Sequence, residues 1–466
     1  MRRFGLLACF VLAACKGDPK GKEAAPKPLV KGEEHPAGDP CTKAETKGSI
    51  TWIEDDYPSA LACAKQKKVP LVLDLWAPWC HTCISMQTTV FLDPSFAADN
   101  KKFVFAALDT DREQNAAPVG TFAPSAWPTF YVIGNDEAVL ARFVGAATLD
   151  QFHEFLDAGL RAQTGSIAAA DARLLGAERA MAKKDYQTAD EELTAALAAA
   201  PDAWLRRAEV VYMLQMAKSK RGDTAGCLAI SDKNMDLVGQ TAIATNFWST
   251  AIDCAKARLD DPIAKPTFMR AIEKLQKVLA DKAAPLSLDD RAEAMGYLRD
   301  ALDEIGKHGD AHAVAEQLRT LLDDAMSKAK TPFEKMAFIW PRAEVYAYLG
   351  RPLELVSDYE KLAAELPKEY DPRARLGWLY LKASKPTEAA KWTDEALALV
   401  YGPRKGRLLT QRADIAALAG DKATEKKYRE QAVKLWESLP EGQQSPDNLA
   451  KARAALASMD APGSAK

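Results

Sequence analysis

The sequence predicts an α/β domain followed by a long all-α region made of helical repeats. Between residues 48 and 164, short apolar runs alternate with amphipathic segments, which is the pattern of strands and helices in one sheet-containing domain. After residue 164 the strand-like runs disappear, and alanine- and leucine-rich segments recur with turns between them. The net charge of −3, without a dominant basic segment, predicts no nucleic-acid partner.

The first residues have the order of a bacterial export signal. Arg2-Arg3 precede the apolar run "FGLLACFVLAA", which is too short to span a bilayer. The run ends in "LAAC", which resembles the lipobox of bacterial lipoproteins and implies cleavage just before Cys15 and lipidation of that cysteine. An ordinary secretory signal is the alternative. We expect residues 1–14 to be a lipoprotein signal peptide, and Lys16 implies, by the same resemblance, a periplasmic protein anchored by lipid to the outer membrane.

Residues 15–47 are predicted to be a flexible tether, because Lys, Pro, Gly, Glu and Ala dominate and large apolar residues are nearly absent. Residues 48–164 form the predicted α/β domain. Its strand candidates include "SITWI", "VPLVLDLWA" and "FVFAALDTD", and a hairpin around Asn135-Asp136 precedes an amphipathic helix, "ATLDQFHEFLDAGLRAQ". This order predicts a mixed sheet with helices on both faces.

Cys80 and Cys83 form a Cys-x-x-Cys pair between an apolar strand and a helix. The free N–H groups of a helix N-terminus favour the thiolate of the first cysteine, and the second lies one turn further on. A redox dithiol, a zinc clip and a structural disulfide are the three interpretations. Zinc needs two further ligands. The chain has no second Cys-x-x-Cys and contains only five histidines. A four-residue loop cross-links little. The redox dithiol is therefore favoured, and we expect no metal and no cofactor.

The segment "DLWAPWCHTC" resembles the active site of thioredoxin, with Asp74, Trp79 and the two cysteines at the family's positions. Downstream, Trp127-Pro128-Thr129 resembles the family's loop with a cis-proline beside the dithiol. The resemblance covers roughly residues 48–164 and implies a thioredoxin fold. It also implies that Cys80 is the nucleophile, Cys83 the resolving thiol, Asp74 the buried carboxylate that moves the proton of Cys83, and Pro128 the residue that pairs with an extended substrate.

Departures from thioredoxin leave the redox direction open. His81-Thr82 replaces Gly-Pro, Thr88 replaces a proline and Ala107 replaces a lysine. The helix after the dithiol is similar to that of thioredoxin-like domains in periplasmic reductant-transfer proteins. A protonated His81 stabilises the Cys80 thiolate, but the helix N-terminus disfavours that protonation. An exposed His81 without a tuning role is the alternative.

Six cysteines remain after removal of the signal and lipidation. In an oxidising compartment an even set predicts disulfides, although sequence does not fix the pairing. Pairing within each domain gives Cys41–Cys63, Cys80–Cys83 and Cys227–Cys254. Buried free thiols are the alternative for the first and third of these pairs.

Residues 165–440 are predicted to be a solenoid. Three aligned copies place Gly350, Ser384 and Gly420 at the same turn, with spacings of 34 and 36 residues. This resembles the tetratricopeptide repeat, a helix–turn–helix unit of about 34 residues. An earlier copy spans residues 178–201, and the number of repeats between 203 and 330 stays open. Residues 441–466 are predicted to be a disordered tail.

Together these features predict a membrane-tethered periplasmic thiol–disulfide oxidoreductase that uses the Cys80-His81-Thr82-Cys83 dithiol. Its partners would be protein thiol or disulfide clients and a redox partner protein, and the repeats would recruit a protein through their concave surface. The alternative is a non-catalytic protein-interaction scaffold with the same fold and the same lipid anchor.

Overall fold

The structure is a computed structural model of the chain. The predicted signal peptide, Cys15 and most of the predicted tether lie outside the described residues. The structure describes residues 38–124, 126–165, 168–202, 204, 206–239, 242–284 and 286–460.

A six-stranded mixed sheet forms the centre of the N-terminal domain. The strand order is β1-β2-β4-β3-β5-β6, in which β2, β4 and β3 are parallel and the other pairs are antiparallel. Every residue of β4 is buried, as the continuous apolar run predicted. The strands are β1 (Glu45–Lys47), β2 (Ile50–Glu54), β3 (Leu71–Trp76), β4 (Val104–Asp109), β5 (Thr129–Ile133) and β6 (Val139–Val144).

Four α-helices cover the two faces of this sheet. They are α1 (Tyr57–Lys67), α2 (His81–Thr88), α3 (Ala116–Thr121) and α4 (Leu149–Gln163). One apolar cluster joins the sheet to α1 and extends to Phe122 just after α3, and another joins it to α2 and α4. Thr148 and Gln151 form a capping box that fixes the start of α4. The predicted mixed sheet with helices on both faces is confirmed.

Beyond α4 the described elements are α-helices, apart from short 3₁₀ turns, and successive helices pack as hairpins. The described residues between 204 and 330 contribute three such hairpins, where the sequence left the number open. The helices are α5 (Ala169–Ala182), α6 (Tyr186–Ala199), α7 (Arg207–Lys220), α8 (Thr224–Asn234), α9 (Ala242–Lys256), α10 (Ala264–Ala280), α11 (Leu288–Glu304), α12 (His308–Lys328), α13 (Pro332–Tyr348), α14 (Val356–Glu365), α15 (Asp371–Lys382), α16 (Pro386–Leu397), α17 (Gly402–Leu418), α18 (Lys422–Ser438) and α19 (Pro446–Asp460).

The turns of the repeats share one backbone conformation. Gly350, Ser384 and Gly420 have φ of 73°, 57° and 73°, so each predicted turn residue ends its helix in the left-handed region. Lys184 does the same after α5, with φ of 58°. The predicted small residues at the helix contacts, such as Ala389, are buried. These observations confirm the all-α repeat region.

The start of the folded domain differs from the predicted boundary. Residues 40–47, assigned to the flexible tether, form a 3₁₀ turn (Pro40–Lys43) and strand β1. β1 pairs with β2, and Cys41 is bonded to Cys63 in α1. Every residue of β1 is exposed, so this strand has no apolar signal in the sequence and depends on backbone pairing instead.

The predicted disordered tail is also different in the structure. Residues 441–443 form a 3₁₀ turn, and α19 continues to residue 460. The Gln443 side-chain amide donates hydrogen bonds to the carbonyl oxygens of Thr110 and Arg112, at 2.8 and 2.9 Å. Gly442 lies so close to Ala116 O that a Cβ has no room there. Small and polar residues make this contact, and they leave no hydrophobic pattern to detect.

Candidate active site

The two cysteines of the Cys-x-x-Cys pair lie where β3 leads into α2. They are joined in a disulfide with a Cα–Cα distance of 5.2 Å. Cys80 is the N-cap of α2, and the backbone N–H of Cys83 donates a hydrogen bond to Cys80 Sγ at 3.0 Å. In the reduced protein the same N–H stabilises a thiolate on Cys80. Both side chains are buried, and Cys80 is only 4% exposed.

Asp74 is a buried carboxyl group on β3, the strand that runs into the dithiol loop. Its Oδ1 has no hydrogen-bond partner among the described residues. Burial raises the pKa of Asp74 well above its usual value, and the charge of Glu54 raises it further. Asp74 is therefore a carboxyl group that holds a proton at higher pH than an exposed aspartate does.

A cavity of about 520 Å³ connects Asp74 with Glu54. In the sheet, Glu54 pairs with Ala107, and Ala107 pairs with Asp74, so the three residues form one cross-strand row. The short side chain of Ala107, which stands where thioredoxin has a lysine, leaves space between the two carboxyl groups. Lys47 pairs with Glu54 at the outer end of the row, at 2.6 Å.

The predicted proline loop lies beside the dithiol. The peptide bond between Trp127 and Pro128 is cis. Gly145 N–H donates to Pro128 O at 2.9 Å, and the hydroxyl of Thr129 donates to Ala126 O at 2.6 Å, so both ends of the loop are fixed. Trp127 and Trp79 pack on the two cysteines, with 5.2 Å between their ring centroids.

His81 is partly buried, and Arg375 of the repeat region is close enough for its charge to act on the imidazole. Burial, together with the positive charge of Arg375 in α15, lowers the pKa of His81 to about 4. The imidazole is therefore neutral near pH 7, and the causes are burial and Arg375 rather than the helix N-terminus that the sequence indicated. Thr82 is likewise partly buried at the start of α2.

The repeat region supplies part of the site's surroundings, which the sequence analysis missed. Arg404 in α17 lies over the Trp79 ring, 5.2 Å from its centroid. The Tyr401 hydroxyl, just before α17, donates a hydrogen bond to Asp109 Oδ2. On the other side, Ile84 of α2 packs in a buried cluster with Met336 and Ala337 of α13. Residues about 250 to 320 positions from the dithiol thus contact its neighbours Trp79, Ile84 and Asp109, and no local motif marks them.

Asp111 is a second buried carboxyl group near the dithiol. Its Oδ2 accepts a hydrogen bond from Trp79 Nε1 at 2.8 Å. Burial raises the pKa of Asp111 to about 7, with a further contribution from the charge of Asp109. β4 ends at Asp109, and Asp111 follows two residues later. This position at the carboxyl end of a strand is the one sequence signal that could have identified Asp111.

The remaining cysteines of the described region lie away from this site. Cys41 is bonded to Cys63, with a Cα–Cα distance of 5.0 Å, and Cys227 of α8 to Cys254 of α9, at 5.8 Å. Within the described ranges, no group of three or more His, Cys, Asp or Glu side chains is arranged to hold a metal ion. No helix of the described part is both long and apolar enough to cross a membrane.

Comparison with known proteins supports the class of the N-terminal domain. Residues 52–133 match a thioredoxin-like family. The thiol:disulfide interchange protein DsbD of Vibrio vulnificus is 40% identical over 60 residues, which are 13% of this chain and 10% of that protein. Thioredoxin C-3 of Corynebacterium nephridii is 34% identical over 101 residues, 21% of this chain and 63% of that protein. The α/β domain is thus thioredoxin-like, as predicted, and the chain spans less than two thirds of either relative.

Solved structures align with a large part of the chain at low identity. A tetratricopeptide repeat protein from Parabacteroides merdae covers 62% of this chain and 98% of its own, with 13% identity and a TM-score of 0.42. The TPR2AB domain of yeast Sti1 covers 64% of this chain and 99% of its own, with 13% identity and a TM-score of 0.23. The repeat assignment rests on the hairpins and the left-handed turns described above.

Proposed function

We propose that the protein is a membrane-tethered periplasmic thiol–disulfide oxidoreductase. The observation that carries this proposal is the position of Cys80, at the N-cap of α2 with the Cys83 N–H on its sulfur. A helix N-terminus lowers the pKa of a cysteine and so favours the nucleophilic thiolate. Asp74 is buried on the strand that leads into the dithiol loop and has a raised pKa, and its ionised form would serve as the proton acceptor.

The exchange proceeds in two displacements. The Cys80 thiolate attacks one sulfur of a substrate disulfide, forming a mixed disulfide while the substrate S–S bond breaks and one substrate thiolate leaves. Cys83 then gives its proton to the ionised form of Asp74 and attacks Cys80 Sγ. The Cys80–Cys83 bond forms, the mixed disulfide breaks, and the second substrate thiolate takes the proton from Asp74, which returns to its ionised form. The substrate disulfide gains two electrons and the dithiol loses two; oxidation of a client dithiol is the reverse sequence.

A redox titration of the purified chain tests this proposal. Equilibration with mixtures of reduced and oxidised dithiothreitol should give a reversible two-electron couple that is absent from Cys80→Ser. The Cys83→Ser variant should accumulate mixed disulfides with clients through Cys80, and the double variant should not. The absence of a reversible Cys80–Cys83 couple would overturn the oxidoreductase proposal.

The lipid anchor is a separate part of the proposal and rests on the "LAAC" motif ending at Cys15. Lipidation at this cysteine would hold the dithiol at the outer membrane, outside the cytoplasm. Cells fed labelled palmitate should incorporate label into the full chain and not into the Cys15→Ser variant. Unlabelled wild-type chain, or label that persists in the variant, would contradict the anchor.

A non-catalytic scaffold is the second candidate, and one observation favours it. Cys80 is only 4% exposed, so a folded client has little access to its sulfur. In this alternative the repeats bind a partner protein and the thioredoxin-like domain serves as a docking module. The same redox titration separates the two candidates, because a scaffold needs no reversible couple at Cys80 and Cys83.

A further inference from the structure

A cavity of about 450 Å³ lies against Trp79, the residue before Cys80, between the thioredoxin-like domain and the repeats. The domain contributes Trp79, Asp111 and Trp127 to its walls, and α17 contributes Arg404 and Arg407. This volume falls in the range of sites that bind small molecules or a few peptide residues, about 300–1,000 Å³. The cavity thus combines residues of the thioredoxin-like domain with repeat residues that are far away in the sequence.

Two tryptophan side chains contact both the cavity and the cluster that contains the dithiol. The rings of Trp79 and Trp127 border the cavity and also pack on the buried cluster that contains Cys80 and Cys83. Pro128 follows Trp127 directly, so the chain that lines the cavity continues into the cis-proline loop. The two tryptophan rings thus separate the cavity from the dithiol, and neither cysteine is among the residues that line the cavity.

Cationic side chains reach this cavity from two repeats. Lys184 comes from the turn after α5, and Arg404 and Arg407 come from the first two turns of α17. Arg404 lies over the Trp79 ring, and Asp371 is 3.9 Å from its guanidinium, but its buried Nε has no hydrogen-bond partner in the described part of the chain. No carboxylate of the described residues lies within ion-pair distance of Arg407.

Two acidic residues face these cations. Asp447 is exposed at the mouth, whereas Asp111 is buried and accepts the Trp79 Nε1 hydrogen bond. Burial raises the pKa of Asp111 to about 7, so near neutral pH it carries only part of a negative charge. The lining therefore has a net positive charge.

A free acceptor accompanies this charge. Gln443 lines the cavity and uses its side-chain amide group on Thr110 O and Arg112 O, while its buried Oε1 has no partner among the described residues. Such an oxygen can accept a hydrogen bond from a peptide N–H. The remaining walls include Pro124, Pro403 and Trp436, which are apolar surfaces suited to an extended backbone.

We propose that this cavity binds the substrate of the dithiol, and that the substrate is a cysteine disulfide flanked by carboxylates in a peptide-sized segment. The proposal rests on the thiol–disulfide exchange proposed above. Arg404 and Arg407 would hold the carboxylates, Gln443 would accept a backbone N–H, and Cys80 would attack the substrate sulfur in the first displacement. In this arrangement the repeats form half of the substrate site, and they set its preference for anionic substrates.

Matched peptide disulfides test the charge preference. The probes are disulfide-linked dimers of acetyl-Glu-Cys-Glu-amide, acetyl-Gln-Cys-Gln-amide and acetyl-Lys-Cys-Lys-amide, mixed with the reduced full-length chain in a stopped-flow instrument. Tryptophan fluorescence follows the reaction, since Trp79 and Trp127 contact the dithiol. At low ionic strength the Glu probe should react about tenfold faster than the Lys probe, and added salt should reduce that ratio.

Substitutions in the cavity test its location. Arg407→Gln should reduce the ratio of the Glu rate to the Lys rate by about fivefold. Arg404→Gln should do so too, and Lys427→Gln, an exposed lysine on α18 outside the cavity, should leave the ratio unchanged. A Glu-Cys-Glu core within a twenty-residue peptide distinguishes a protein segment from a free small disulfide: equal rates support a segment, and a slow long probe supports a small molecule.

The failures of the two proposals differ. Equal rates for the three probes in the wild-type chain, with an intact dithiothreitol couple, would overturn the anionic substrate site and leave the oxidoreductase proposal standing. A charge preference that survives in both arginine variants would overturn the assignment to this cavity. The loss of the dithiothreitol couple itself would overturn the proposed function.

Discussion

The Asp74 carboxyl group makes the free energy of unfolding depend on pH. Its pKa in the folded chain is raised by burial, whereas an unfolded aspartate has a pKa of about 3.9. Above that value the folded state binds more protons than the unfolded state, so stability falls as pH rises toward the folded pKa. Asp74→Asn has no such group, and we expect the variant to gain stability over the wild type between pH 4 and pH 8.

Urea unfolding of both chains at several pH values measures this difference. Glu54→Gln is the matched control, because it removes a neighbouring charge from the same cavity and leaves the buried carboxyl group in place. Glu54→Gln should lower the pKa of Asp74, so stability should change over a lower pH range. The pH dependence itself should remain. A stability difference between Asp74→Asn and wild type that does not change with pH would contradict the assignment.

His81 should stay neutral throughout the physiological range. Its pKa is lowered to about 4 by burial and by Arg375. We therefore expect His81→Gln to leave the slope of the reduction potential against pH unchanged between pH 5.5 and 8. Proton NMR of the imidazole should give a titration midpoint near 4, and a midpoint near the unperturbed 6.5 would show that the repeats do not cover His81 in solution.

At the scale of the elements, the repeat turns offer a quantitative test. Ser384 has a side chain in the left-handed region, φ 57°, where a Cβ costs roughly 1–2 kcal/mol. Glycine removes that cost and adds about 0.5–1 kcal/mol of unfolded-state entropy. Ser384→Gly should therefore raise the free energy of unfolding of the repeat region by about 0.5–1 kcal/mol relative to Ser384→Ala. Urea unfolding followed by circular dichroism measures it, and a less stable glycine variant would contradict the turn geometry.

The elements that the sequence predicted are those with a local signal. β3 and β4 are continuous apolar runs, α4 has an apolar face and a capping box, and the turns at Gly350 and Gly420 recur at a fixed spacing. Strand β1 and the turn at residues 441–443 were missed, because exposed or small residues form them and their stability comes from backbone pairing and buried amide hydrogen bonds.

At the scale of the whole molecule, the candidate site has one part that the sequence predicted and another part that it did not. Cys80, Cys83, Asp74 and Pro128 belong to one domain, and their motif made them recognisable in the sequence. Arg404 and the other residues that close the site come from the repeats, where an arginine at a helix start has no distinguishing pattern. Their role depends on how two regions dock, and docking between distant segments is not encoded in any single periodicity.

Two glycines at the docking surface test whether the repeats enclose the dithiol. A Cβ on Gly442 would meet the backbone at Ala116, and a Cβ on Gly402 would meet Asp111 O; neither neighbour is a flexible side chain. Alanine at either position should weaken docking by about 1–3 kcal/mol.

Reduced Cys80 should then react with iodoacetamide at least about fivefold faster, as opening becomes more frequent. Gly296→Ala is the control, since a Cβ there meets open space within α11 and the alkylation rate should not change. Equal rates in all three variants would mean that access to Cys80 does not depend on the docked repeats.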